Sequence, residues 1–387
     1  MYNILKLNEI SNLIYNNLDK DNYNVSDNVE NPDGIILRSF KMHDYPIPDS
    51  LLAVARAGAG VNNIPLDKMT EKGVVVFNTP GANANAVKEL VITELLLSNR
   101  KLIESIDWVN SLEANDDMPT LVEKGKKAFI GPELLGKTLG IVGLGAIGRL
   151  IANAVIGLGM NVIGYDPFLT AELKADLNDN VVVTNDLDEL FSKSNYITVH
   201  TPLTDSTREM INERSIALMP NQVRIINCAR GELVNNNDII KAVESGKVAK
   251  YISDFPTKEL KGIKNIILVP HLGASTPEAE DNCAVMASKE LKDYLENGNI
   301  VNSVNCPRLS VARPQDTHSH RVTVLAKTTD NLVSNIMNAL GNENVISVNQ
   351  STRGDITYII CDIKCRSCID MTALNNNNSI LKARVIK

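Results

Sequence analysis

The 387-residue sequence is 44% hydrophobic and 22% charged, the composition of a globular chain long enough for two or three domains with cores of their own. A formal net charge of −7 argues against nucleic acid as the main partner, because such binding needs a basic stripe; an anionic ligand would depend on a local cluster of cations. No apolar run approaches the ~18 residues of a membrane span, and the opening MYNILKLNEI lacks the order of a secretory signal, so a cytoplasmic location is expected.

Residues 1 to about 90 alternate short β-rich runs (YNILK, GIILR, LLAVARA, VVVF) with polar turns, as strands linked by helices do. A helix is expected from near Asn83 toward Trp108. The Lys- and Gly-rich stretch from about 118 to 136 reads as a crossing between domains. A compact α/β pattern follows to about 272: TLGIVG, NVIGYD, VVVT, YITVH, VRIINCA, VAKYISD and IILVP, separated by helical or turn-rich stretches. A helix opens at STPEAE with Pro277 in its first turn and runs to about Gly298. From Arg321 the order strand, helix, strand, strand, helix, strand is the split βαββαβ pattern.

These elements make an α/β chain of two doubly wound parallel-sheet lobes with a cleft, followed by a small C-terminal α+β unit. The expected boundaries are 1–93 with 273–310 for a discontinuous substrate-binding domain, 94–272 for the nucleotide-binding domain and 320–387 for the C-terminal unit. Six cysteines spread over so long a chain are read as reduced thiols. CDIKCRSC at 361–368 offers three thiols and no following Cys or His completes a tetrahedron, so no metal site is expected.

The sharpest motif is Gly143-Leu144-Gly145-Ala146-Ile147-Gly148, which follows the apolar strand Thr138–Val142 and opens a helix. Its glycines allow a tight turn and let a pyrophosphate approach free backbone amides at the positive helix end. The next strand ends in Asp166, at the separation of about 20 residues expected of a ribose-binding carboxylate. Asp166 would repel a 2′-phosphate, and no Arg or Lys follows before Lys174, so NAD is the expected cofactor.

Oxidation of a 2-hydroxy acid needs a cation for the carboxylate, a proton acceptor for the hydroxyl and a carboxylate to tune that acceptor. Arg230, His271 and Glu259 lie at or just beyond the carboxyl ends of expected strands, where ligands bind in open α/β sheets. Arg binds a carboxylate bidentately, and His beside a carboxylate cycles protons near neutral pH. Taken singly, each reads more readily as an ordinary surface or turn residue than as a catalytic one.

In order, LGIVGLGAIG, VHTPLTDSTREMI, INCARGELV and PHLGAST resemble the signature of the D-isomer-specific 2-hydroxyacid dehydrogenases over about residues 34 to 300. The resemblance implies a fold like that of formate and glycerate dehydrogenases, with Arg230 on the substrate, His271 as acid/base and Glu259 as its partner. It also implies that Asp254 lies near the nicotinamide, that Thr201 and Pro202 lie against the cofactor, and that Ala229 and Gly273 line the same site. One departure is the stretch Asp254-Phe255-Pro256-Thr257-Lys258-Glu259, whose residues are redistributed and which leaves Glu259 less firmly matched.

Three further stretches, at 38–41, 55–63 and 78–85, are similar to those of the phosphoglycerate dehydrogenases within that family. That implies a phosphorylated 2-hydroxy acid, 3-phospho-D-glycerate, held by Arg38, Ser39, Lys41, Arg56, Gly58 and Asn83, and a place at the start of serine synthesis. Other D-2-hydroxy acids such as glycerate or lactate, or an NAD(H)-sensing corepressor-like role, are the alternatives. The C-terminal unit resembles ACT-type regulatory domains, which implies serine as a ligand; a homodimer or homotetramer is expected.

Overall fold

The computed structural model describes residues 1–314, 319–341, 344–364 and 371–386. The chain divides into two compact units, Ala84–Thr276 and Met1–Asn83 with Pro277–Lys387. These limits differ from the expected 93/94 and 272/273. The helix Ala84–Asn99 packs against the helix Ala146–Ile156 and strands of the nucleotide-binding sheet, so its whole length belongs to that unit.

In the first unit, strands β1 (Tyr2–Leu7), β2 (Tyr23–Ser26), β3 (Gly34–Leu37), β4 (Ala53–Arg56) and β5 (Val75–Phe77) form a parallel sheet in the order β2-β1-β3-β4-β5. The short β2 escapes a reading by pattern because its four residues YNVS carry one buried apolar side chain, Tyr23. The helix Pro277–Asn297 lays Cys283, Ala284, Ala287, Leu291, Tyr294 and Leu295 on this sheet.

The second unit holds β6 (Thr138–Val142), β7 (Asn161–Tyr165), β8 (Val181–Thr184), β9 (Tyr196–Val199), β10 (Val223–Asn227), β11 (Val248–Ser253) and β12 (Ile266–Leu268). All pair in parallel in the order β12-β11-β10-β9-β6-β7-β8. The order reverses between β6 and β9, and the crevice at such a switch point is where doubly wound sheets bind their ligands. β6, β9 and β10 are almost wholly buried, which accounts for their near-continuous apolar runs.

The expected helix to Trp108 is broken in two, Ala84–Asn99 and Leu102–Asn110, and the expected crossing at 118–136 contains the helix Met118–Gly125 and a 3-10 turn, Lys126–Phe129. Pro119 in the first turn starts the Met118 helix despite its Lys and Gly content. Neither Leu102–Asn110 nor Met118–Gly125 buries a residue, and Leu102, Ile103, Ile106, Leu121 and Ile130 are exposed.

At the C-terminus β13 (Ser319–Lys327), β14 (Val345–Arg353), β15 (Ile356–Lys364) and β16 (Ile380–Ile386) form an antiparallel sheet in the order β14-β15-β13-β16, the arrangement of a split βαββαβ unit. It was expected to stand apart at 320–387, but it is grouped with the first unit. Leu325, Ile356, Tyr358 and Ile360 share one apolar core with the β1–β5 sheet and the Pro277 helix. Arg321, fully buried, pairs with Asp362 at 2.8 Å and donates to the carbonyls of Asn297, Val311 and Ala312. A cation so desolvated is stable only with every donor engaged, and here the engagement joins sheet to lobe. Cys365 and Cys368 lie outside the described residues; Cys228, Cys283, Cys306 and Cys361 are free and buried. Among the described residues no His, Cys, Asp or Glu cluster could hold a metal, and no helix is long and apolar enough to cross a membrane.

Candidate active site

The glycine loop follows β6 directly. A Cβ on Gly148 would lie 1.9 Å from the Gly143 carbonyl, and one on Gly143, at φ +96°, would lie 2.6 Å from the His200 carbonyl. Close packing therefore fixes those two glycines. Gly145 is different: a Cβ there would meet nothing within 4 Å, and no side chain caps the start of the helix Ala146–Ile156 behind it. The backbone at Gly145, Ala146 and Ile147 thus faces open space at the positive end of a helix, as a pyrophosphate requires. Asp166 is held beside this cradle by the amides of Leu144 and Phe168, each at 2.9 Å. A carboxylate fixed there fits an adenosine ribose.

The loop after β9 is ordered by its own hydrogen bonds. His200 N–H donates to the Val142 carbonyl at 2.7 Å, and the Thr207 hydroxyl donates to the Pro202 carbonyl at 2.7 Å. Thr201 is accordingly placed next to the loop, with its methyl 3.0 Å from a Cβ built at Gly143. Burial drives the His200 imidazole down to about 3, so it stays neutral and structural.

Beyond β11 and β12, a cavity of about 800 Å³ is lined by Asp254, Phe255, Thr257, Glu259 and His271, together with Arg208 and Glu232. His271 is exposed and packs on the Phe255 ring, centroids 4.8 Å apart. Glu259 shares the cavity, but its carboxylate is held below the usual range by its own backbone N–H, then by Thr257, with Lys258 at 3.7 Å. Among the described residues no hydrogen bond joins it to His271. The carboxylate whose charge reaches the imidazole is Asp254: burial raises its pKa, and the charge of His271, the backbone N–H groups of Asp254 and Gly273, and the charge of Arg230 oppose that rise. Arg230, after β10, is exposed, with its guanidinium on the Ala229 carbonyl at 2.6 Å. The Ala229 amide is tied to Asn227 at 3.1 Å. Gly273 is buried with Val87 and Asp254 beside its α-carbon. Phe255 and Arg208 went unremarked in the sequence; only their neighbourhood to Asp254 and to the TPLTDSTREM loop hinted at them.

In the first unit, Arg38 and Arg56 come together at the ends of β3 and β4, where the Arg56 Nε donates to the Arg38 carbonyl at 3.0 Å. Arg38 is engaged by Glu280 at 2.6 Å. The Gly58 amide donates to Thr79 at 2.8 Å, and the Arg56 guanidinium stands 2.7 Å from where a Gly58 side chain would begin. Ser39 is fixed through its amide by Asn8 at 3.1 Å; Lys41 is exposed and Asn83 half-buried.

Residues 92–273 match the family model described as D-isomer specific 2-hydroxyacid dehydrogenase, NAD binding domain. The chain carries the NAD-binding domain of the D-isomer specific 2-hydroxyacid dehydrogenases. It is 36% identical over 267 residues to a D-3-phosphoglycerate dehydrogenase of Methanocaldococcus jannaschii, covering 67% of this chain and 49% of that protein. To the Bacillus subtilis protein of the same name it is likewise 36% identical over 267 residues, covering 67% and 48%. The chain thus spans about half the length of the curated relatives it matches. Among solved structures, cofactor(NAD+)-bound 3-phosphoglycerate dehydrogenase of Entamoeba histolytica aligns with TM-score 0.60 at 25% identity, over 79% of this chain and 98% of that one. NAD is the cofactor of this dehydrogenase fold, and the cradle at Gly145 with Asp166 beside it suits it.

Proposed function

We propose that the chain oxidises the 2-hydroxyl of 3-phospho-D-glycerate, giving 3-phosphooxypyruvate, and so opens serine synthesis. The observation that carries the chemistry is the meeting of His271 and Asp254 in one cavity at the carboxyl ends of β11 and β12. Bound NAD supplies the hydride acceptor. His271 accepts the hydroxyl proton, Asp254 favours the imidazolium that results, and Arg230 turns its fork from the Ala229 carbonyl to the substrate carboxylate. Glu259, ionised at the cavity wall, is the second carboxylate available to His271. Thr201, Pro202, Ala229 and Gly273 shape the cofactor side.

The phosphate is assigned to Arg38, Lys41 and Arg56, with Ser39, Gly58 and Asn83 around them. What supports it is the placing of Arg56 against the Arg38 backbone, which gathers two arginines at the ends of β3 and β4 in an acidic protein. The ion pair of Arg38 with Glu280 favours a second reading, an unphosphorylated 2-hydroxy acid such as glycerate or lactate. Comparing NADH formation from 3-phospho-D-glycerate, D-glycerate and D-lactate separates them: a lower kcat/KM for the phosphorylated acid than for the others would defeat the first reading.

The exposed apolar side chains of Leu102, Ile103, Ile106, Leu121 and Ile130 support assembly as a homodimer or homotetramer. The βαββαβ sheet supports an ACT-like regulatory role with serine as ligand, and the free buried thiols support a cytoplasmic location.

A further inference from the structure

The helix Ala84–Asn99 carries its apolar stripe at Val87, Val91 and Leu95, and on the same face it buries a carboxylic acid, Glu94, at 1% exposure. Glu94 accepts the Cys228 thiol hydrogen bond at 2.9 Å through Oε2, while Oε1 is buried without a hydrogen-bond partner among the described residues. Nearby Asp254 is fully buried, and among the described residues no side chain hydrogen-bonds either of its carboxylate oxygens; only the backbone N–H groups of Asp254 and Gly273 reach the carboxylate. Two carboxyl groups so placed cannot both be ionised cheaply, since each charge is desolvated and repels the other. His271 and Arg230 attract the charge of Asp254. The other charged groups on elements packed against Glu94's helix are engaged elsewhere: Arg149 by the Leu144 carbonyl and Asp176, Arg224 by the Ser98 carbonyl, and Lys250 by Glu104. Tyr251 of β11 and the Cys228 thiol are both pushed up by burial, the former to about 12, so neither titrates near neutrality. The proton of the pair therefore stays on Glu94. Its pKa is raised to about 7, chiefly by burial, with the thiol hydrogen bond opposing the rise and the charge of Asp254 adding to it.

We propose that Glu94 is a positioning residue for the nicotinamide site, a buried carboxyl that holds one proton between Cys228 and Asp254 and, by losing it to solvent, sets the preference between oxidised and reduced cofactor. This rests on the reading that the nicotinamide lies beside Asp254. The oxidised ring is cationic and the reduced ring neutral, so a second buried negative charge attracts only the former. The sign follows: below the Glu94 pKa the site carries one negative charge, above it two, and rising pH tightens NAD+ relative to NADH.

The test measures both dissociation constants from about pH 6 to about pH 8.5 in a His271→Asn background, which removes the imidazole's own titration. The ratio of the NADH constant to the NAD+ constant is expected to rise roughly tenfold across that range, the effect of about one pK unit of coupling. Glu94→Gln should flatten it. Cys228→Ser, whose hydroxyl donates more strongly, should move the step to lower pH. A flat ratio while both nucleotides bind overturns the proposal and leaves the cofactor reading standing. A step that persists in Glu94→Gln also overturns it, as does an unmoved step in Cys228→Ser if the glutamine variant does not fold. Failure of the His271→Asn protein to bind either nucleotide overturns both.

Discussion

The two units carry their candidate chemistry by different means. In Ala84–Thr276 the cofactor cradle is made of backbone: an open Gly145, two glycines fixed by contact, and a carboxylate pinned by amides. In the first unit the cations that would meet a phosphate are side chains with other engagements, Arg38 with Glu280 and Arg56 with the Arg38 carbonyl. A site made of backbone is set when the chain folds. A site made of side chains depends on which partners compete for them, and an exposed ion pair is a weak competitor.

The largest effect expected tests whether acid/base chemistry resides in the second unit alone. His271→Asn keeps a polar side chain of similar shape and loses the titration, so turnover should fall by roughly 10²- to 10⁴-fold while NAD still binds. Turnover near that of the parent would place the proton acceptor elsewhere.

Next in size is a contrast between two glycines. Gly148→Ala puts a methyl 1.9 Å from the Gly143 carbonyl, so the strand-to-helix turn must shift; a loss of about 3 kcal/mol is expected by thermal or denaturant unfolding. Gly145→Ala meets no protein atom and should leave unfolding unchanged, while a methyl in the pyrophosphate's path weakens NAD binding roughly tenfold or more. Equal destabilisation by both would mean that the loop has no open face.

The same contrast explains what the sequence made legible. GLGAIG after an apolar strand names a backbone geometry outright, and the parallel order of β6 to β12 follows from strands alternating with helices. The partners of side chains are not local. Glu280 is far from Arg38 in sequence, and nothing in the string LRSF around residue 38 announces the ion pair. Glu94 was hidden differently: ELVITELLL reads as an amphipathic helix, and only a carboxylate at the spacing of Val87, Val91 and Leu95 marks it as buried. The docking of the C-terminal sheet depended on Arg321 meeting carbonyls of residues 297, 311 and 312, which no pattern within the βαββαβ unit contains.

A smaller effect is expected at the ribose. Asp166→Arg removes the acceptor and supplies a phosphate partner, so NAD affinity should fall by roughly ten- to a hundredfold and NADP affinity should rise, read by nucleotide titration. Part of the NAD loss comes from the amides of Leu144 and Phe168, which lose their shared acceptor. An unchanged preference would remove Asp166 from the ribose.

The smallest effect bears on the first unit and sharpens the comparison most. If Arg38 belongs to the substrate phosphate, Glu280 competes for it, and Glu280→Gln should lower KM for 3-phospho-D-glycerate. Both side chains are more than a third exposed, at 38% and 43%, so the pair is worth at most about 1 kcal/mol and the gain is limited to about fivefold. KM for D-glycerate should not move, because that acid lacks the group Arg38 would meet. An equal fall for both acids would assign Arg38 to the carboxylate instead. No change for either would leave Arg38 a partner of the Pro277–Asn297 helix and take it out of the substrate site, which is the outcome expected of a cation whose role is to fasten Glu280 to the end of β3.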